Sequence, residues 1–167
     1  MTESIFEFFE RDHDRLDELF LGFQKHKRSN FPKAREYFAA FKFGLQRHIV
    51  WEEDVLFPLY DNTVRMEYGP TFVMRLEHKE IAQKLEALHK KIQSGDVNSD
   101  REEQDLKDTL RLHNDKEENI LYPTIDRTFT TEEKRSLFEA LLKIPEERYA
   151  ESFRTVEEQT LKKLLHT

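Results

Sequence analysis

A chain of 167 residues, 37% charged and 37% hydrophobic with few glycines and prolines, has the size of one domain and the balance of a helical protein with heavily charged faces. The formal net charge is −7 and no Lys/Arg block stands out, so nucleic acid has no electrostatic footprint here. The lack of cysteine excludes disulfides, thiolate metal sites and thiol catalysis, no apolar run reaches the roughly 18 residues of a membrane span, and the acidic start lacks the basic region of a signal peptide, so a soluble cytoplasmic protein is expected.

Apolar residues recur at helical spacing almost throughout and alternating strand patterns are absent, which predicts an all-α fold. The first helix is expected from about Thr2 or Ser4 to Lys27, with Ile5, Phe9, His13, Leu16, Phe20 and Phe23 on its inner face. A turn at Ser29–Pro32 leads into the second, capped near Asn30 or Phe31, whose inner face reads Phe38, Phe41, Leu45, His48, Glu52 and Val55. Pro58 should bend or end that helix near Phe57, because proline removes the bond to residue 54. Turn signals fill Asp61 to Pro70. The third helix carries Met74, His78, Ile81, Leu85, Leu88 and Ile92, and Gly95 reads as its C-terminal cap. The fourth carries Leu106, Leu110, His113, Glu117 and Ile120, and Pro123 is expected to close it. Thr130 and Glu133 form a capping-box pattern for a further helix to about Ile144, and Pro145 opens a last one with Val156, Leu161, Leu164 and Leu165. Residues 1–127 are thus expected to form the bundle, and 128–167 a helical extension that packs on it or carries a dimer contact.

One internal repeat stands out. His13, His48 and Glu52 recur 65 residues later as His78, His113 and Glu117, and the text from His48 to Pro58 resembles that from His113 to Pro123. Each of these residues replaces an apolar one on a core face, where imidazole and carboxylate are costly unless paired or metal-bound. The midpoint of His13 and His48 falls at 30.5, that of Glu52 and His78 at 65, and that of His78 and His113 at 95.5, each inside an expected turn. In antiparallel hairpins residues equidistant from a turn share one level, so all six should meet. The pairs His48/Glu52 and His113/Glu117 are one turn apart on a helix face and can bind a common metal or bridge two. A lone core histidine reads more simply as a hydrogen-bonded structural residue; two identical sets with agreeing midpoints read as a metal site. Imidazole and carboxylate without thiolate suit iron, manganese or zinc, and ligand type alone does not choose. The spacing differs from the Glu-x-x-His of ferritin-like di-iron proteins and from the H-E-x-x-H of zinc proteases.

These residues resemble the hemerythrin family, in particular its hemerythrin-like HHE cation-binding domains. The resemblance covers roughly residues 5–125 and rests on His13, His48-x-x-x-Glu52, His78 and His113-x-x-x-Glu117, with Leu-Phe-Pro58 and Leu-Tyr-Pro123 following. It implies an up-down-up-down four-helix bundle around two non-haem irons. Glu52 and Glu117 would bridge the irons together with an oxo or hydroxo group, His13 and His48 would serve mainly one iron, and His78 and His113 the other. Oxygen-carrying members have a further histidine one turn before His78, where this chain has Met74, and usually a bridging aspartate five residues after the last histidine, where this chain has Glu117 four residues on. The four-His, two-Glu set is similar to the C-terminal domain of iron-centre repair proteins, although this chain lacks their cysteine. The resemblance implies a protein that binds or senses O2 or NO. The alternative is a di-iron enzyme or iron donor (oxidase, peroxide or NO reductase, iron-centre repair), and a third reading makes the metal structural and residues 130–166 a contact surface. Neither nucleic acid nor membrane is expected as a partner, and the chain is expected to be a monomer or homodimer.

Among the smaller signals, Glu53 and Glu118 point about 100° away from the ligand glutamates and read as solvated or supporting groups. Met74, Tyr60 and Tyr122 read as packing residues, Phe9, Phe41 and Trp51 as a dry wall, and His26, His89 and His166 as surface histidines.

Overall fold

The computed structural model describes residues 3–151. Helix α1 spans Ile5–His26, α2 Phe31–Trp51, α3 Phe57–Val64, α4 Pro70–Gln93, α5 Asp100–Lys116, α6 Tyr122–Thr128, α7 Thr131–Leu142 and α8 Glu146–Glu151. No strand occurs among the described residues. Local chemistry sets the starts. Ser4 accepts the Glu7 N–H at 3.0 Å, and the Asp126 carboxylate accepts those of Ile5 and Phe6 at 2.7 and 2.9 Å, placing negative charge at the dipole's positive end. Asn30 caps α2, with Pro32 in the first turn, where its missing N–H costs nothing. Gly95, at φ 75°, turns the chain after α4 in a conformation that glycine adopts without strain. Thr130 and Glu133 form the reciprocal box that starts α7.

Helices α1, α2, α4 and α5 close a ring. Hairpins α1–α2 and α4–α5 are joined by Gln24–Glu103 (3.2 Å) on one side, and by Arg35 donating to the Ile92 carbonyl (3.1 Å) on the other. Two apolar clusters fill the bundle. One contains Leu16, Phe20, Phe23, Phe38, Phe41, Leu45, Ile81, Leu85, Leu88 and Leu106. The other contains Ile5, Phe9, Leu56, Phe57, Tyr60, Met74, Leu121, Tyr122 and Ile125, and extends to Leu137 and Leu141 of α7. Burying each such side chain fully contributes about 1.5–3 kcal/mol. Along every long helix the repeated histidines and glutamates fall between the two clusters, so a polar layer is held inside an apolar bundle. The buried Lys27, paired with Asp100 and Glu103, closes the far end.

Pro58 and Pro123 do not end their helices. A π-helical turn precedes each, Glu52–Leu56 after α2 and Glu117–Leu121 after α5, and the chain then runs on into α3 and α6. The Phe57 N–H bonds the Glu52 carbonyl and the Tyr122 N–H that of Glu117. These i→i+5 bonds widen the helix where the proline ring would otherwise strike a carbonyl one turn back, so the missing donor is absorbed without a break. The inserted residue also shifts the register. Ile120, expected inside, is 62% exposed, whereas Leu121 and Tyr122 are buried. The connection expected over Asp61–Pro70 shortens to residues 65–69, with Arg65 left-handed at φ 54°.

Beyond α6, Phe138 of α7 packs on Phe8 with ring centres 5.1 Å apart. Helix α8 meets α2 through Tyr149, whose hydroxyl accepts the Trp51 indole N–H at 3.1 Å, and Arg148 pairs with Asp54 at 2.9 Å. The expected helical residues Val156, Leu161, Leu164 and Leu165 lie outside the described residues, as does His166. Among the described residues no helix is long and apolar enough to cross a membrane.

Candidate metal centre

The six repeated side chains converge in the polar layer, and none is more than 4% exposed. Glu52 Oε1 lies 3.3 Å from His48 Nε2 and 3.5 Å from His78 Nε2. Glu117 Oε1 lies 3.4 Å from His13 Nε2 and 3.1 Å from His113 Nε2. Each glutamate therefore stands between one histidine of its own half and one of the other. Donor atoms within 4.8 Å of one another form two groups, Glu52–His78–His113–Glu117 and His13–His48–Glu117.

Glu52 Oε1, both carboxylate oxygens of Glu117 and His78 Nε2 are buried without a hydrogen-bond partner among the described residues. Leaving such atoms desolvated and unpaired costs about 1–3 kcal/mol each, and more for charged groups. A cation among them removes that cost. Nitrogen and oxygen donors without sulfur fit iron, manganese or zinc. The buried His/Glu cluster thus fits a metal site.

Each imidazole is turned by a carboxylate at its other nitrogen. The Nδ1 of His13 is 2.8 Å from Glu118, that of His48 2.9 Å from Asp12, that of His78 2.9 Å from Glu53 and that of His113 3.1 Å from Glu77. An Nδ1–H donated to a carboxylate fixes the tautomer and aims Nε2 inward, with raised basicity towards a metal. Glu53 and Glu118 reach across to the opposite hairpin; Asp12 and Glu77 stay within their own. Asp12 and Glu77 were not among the residues singled out from the sequence, yet they too are 65 apart, each directly before a repeated histidine. That acidic neighbour was the available signal.

Tyr122 is also more than a packing residue. Its hydroxyl donates to Glu52 Oε2 at 3.0 Å and stands 3.3 Å from His48 Nε2. Its ring stacks on Phe9, which meets the His48 ring edge-on at 5.3 Å. The register shift at Glu117–Leu121 is what turns Tyr122 inward, and periodicity alone cannot show it. Tyr60 is buried in the second apolar cluster and Met74 packs there too, while His26 and His89 sit half-buried away from the centre. On the other side of the centre, a cavity of about 20 Å³ is lined by Leu16, Phe41, Leu45, Ile49 and Ile81 together with His13, His48 and His113. It has room for one water-sized molecule. Phe41 belongs to that dry wall and Phe9 to the opposite one; Trp51 packs at the edge of the cluster that holds Phe9, half-buried under Arg47.

Without a cation the centre holds protons. Burial works against charged His48 and His78, but Glu52 beside them prevails, helped by Asp12 at the first and Glu53 at the second, and both are raised to about 10. Burial likewise opposes ionisation of Glu117, yet His113 and its other neighbours hold it well below the usual carboxylate range. Asp12 is lowered to about 2, because His48 and Arg15 outweigh its burial. Burial and the two glutamates keep the Tyr122 phenol well above its usual range, so it remains a neutral donor. Cation binding must displace protons from the imidazoles.

No curated protein and no solved structure matches the chain. A family model described as the hemerythrin HHE cation binding domain matches residues 4–125. That span begins with the cap of α1 and ends in α6, and so contains all six converging side chains and the carboxylates that turn them. The chain belongs to the hemerythrin HHE cation-binding family.

Proposed function

We propose that the chain holds two iron ions through His13, His48, Glu52, His78, His113 and Glu117, and takes up oxygen or nitric oxide at that centre. The observation that carries this reading is the pair of fully buried glutamates, each set between histidines of both hairpins and each with unpartnered oxygen. Two ferrous ions supply two electrons to oxygen, or an open position to nitric oxide. The protein's own part is orientation and exclusion. Four carboxylates aim four Nε2 atoms inward, the aromatic walls keep water out, and the cavity beside His13, His48 and His113 offers a neutral diatomic an apolar place of suitable size. Cytoplasmic location and a monomeric or dimeric state accord with this reading.

Elemental analysis of protein produced with added iron tests it first. About two irons per chain are expected, and the reduced protein should gain visible absorption with one of the two gases. One zinc, no iron, or a spectrum indifferent to both gases would overturn the proposal. A second reading, a di-iron enzyme or iron donor, is favoured by Met74. It is buried one turn before His78 and gives that half no third imidazole, which leaves a position for another reactant. Turnover with a reductant faster than autoxidation would select it, and equal rates would dismiss it.

A further inference from the structure

Each half of the repeat contributes two histidines and one glutamate, so donor count alone makes the two half-sites equal. The folded centre is not equal. The donor group containing His78 and His113 includes both glutamates; the group containing His13 and His48 includes Glu117 alone. The repeat breaks at one aromatic residue buried against the layer. Tyr122 lies 65 residues after Phe57, and both are fully buried against the layer. Phe57 stacks on the His78 ring at 5.9 Å and 12°, and carries no hydroxyl. Tyr122 donates its hydroxyl to Glu52 Oε2, whereas both oxygens of Glu117 are without a hydrogen-bond partner.

A carboxylate bridges two cations with one oxygen to each. Glu117 has both to give. Glu52 has Oε2 tied to a phenol and only Oε1 free, and a carboxylate oxygen that already accepts a hydrogen bond offers less charge to a cation. We propose that Tyr122 is a positioning residue that makes the half-sites unequal: by holding Glu52 Oε2 it leaves Glu52 a single free oxygen, placed between His48 and His78, so that Glu52 completes the donor group of His78 and His113, which fills first, and adds nothing to a group that holds both His13 and His48, which fills second and more weakly. The inference rests on the two-metal reading above.

Anaerobic titration of the full metal-free chain with Co(II), followed by cobalt visible absorption, tests it. The wild type should bind two equivalents in steps separated by about tenfold or more, in the range by which groups supporting a metal ligand alter affinity. Tyr122→Phe frees Oε2, so the second step should tighten and the separation should fall to about threefold or less. A merely structural tyrosine would weaken both steps together, with a matching loss of thermal stability in the metal-free variant. Phe57→Tyr gives an independent route: a hydroxyl added at the repeat-related position, on the ring that stacks on His78, should perturb binding in that half and change the separation without abolishing either step. Equal steps in the wild type would overturn the proposal and leave two metals standing. So would a Tyr122→Phe variant that binds two equivalents with the wild-type separation. If Tyr122→Phe does not fold, an unchanged separation in Phe57→Tyr overturns it. Fewer than two equivalents in the wild type would remove the two-metal reading itself.

Discussion

In the α1–α2 hairpin, Asp12 orients His48 while paired with Arg15 at 3.0 Å and Arg47 at 3.6 Å. In the α4–α5 hairpin, Glu77 orients His113 while paired with Lys116 at 2.6 Å. The carboxylates match across the repeat but the cations do not. The positions 65 residues after Arg15 and Arg47 are Glu80 and Leu112, and the position 65 before Lys116 is Trp51. The repeat is constrained at the acid and not at the cation that balances it. An imidazole is aimed by one group at one place, so that place keeps its acid. The charge on that acid can be balanced from any neighbouring turn, so the balancing residue is free to move. Glu53 and Glu118 make the complementary point. They are partly exposed, solvent screens them, and among the described residues neither pairs with a lysine or arginine; their bonds to His78 and His13 instead fasten each hairpin to the other.

The strongest way to break the equivalence of the two halves is to remove one bridging candidate at a time. Glu117 belongs to both donor groups and Glu52 to one. Glu117→Ala should therefore reduce metal content to one ion per chain or fewer, while Glu52→Ala should retain two with weaker affinity. Elemental analysis after dialysis against a mild chelator reads the difference. Identical losses in the two variants would mean that the halves share their glutamates evenly.

A second test uses what the halves have in common. His48 and His78, one from each hairpin, both face Glu52 and both are raised to about 10 in the metal-free protein. A group whose folded value is raised contributes fully below its unfolded value near 6.5 and loses that contribution as pH climbs through the folded value. Metal-free protein should thus lose stability between about pH 6.5 and 10, by up to about 1.4 kcal/mol per pH unit for each histidine. In metal-loaded protein the same nitrogens are already deprotonated, so this slope should vanish. Denaturant midpoints against pH, with and without metal, measure it. Parallel curves would show that the imidazoles are not the groups that exchange protons for metal.

Much of this centre was legible because one physical pattern recurs. His13, His48 and His78 sit on faces whose other members, such as Leu16, Leu45 and Ile81, are apolar, and equal distances from three turns bring them to one level. Helix starts were legible for a local reason: Ser4, Asn30 and Thr130 each cap the turn that follows them. Tyr122 was not legible as part of the centre, since its direction depends on a π turn that no side-chain period announces. Asp12 was missed because it serves His48 on another helix and not its neighbour His13, a relation that exists only after folding.

That π turn supplies the smallest effect and a sharp contrast. A helix continued without it would place Ile120 on the core face with Glu117; the observed turn leaves Ile120 62% exposed and buries Leu121 at 3%. Leu121→Ala should destabilise the protein by about 2–5 kcal/mol, as large-to-small changes in a packed core do. Ile120→Ala should fall within about 0.5 kcal/mol of the wild type, as surface changes do. Urea denaturation of the two variants at fixed metal content decides between the registers. If Ile120→Ala proved the costlier, the helix would run regularly through Glu117, Tyr122 would turn away from Glu52, and the inequality between the two half-sites would lose its structural source.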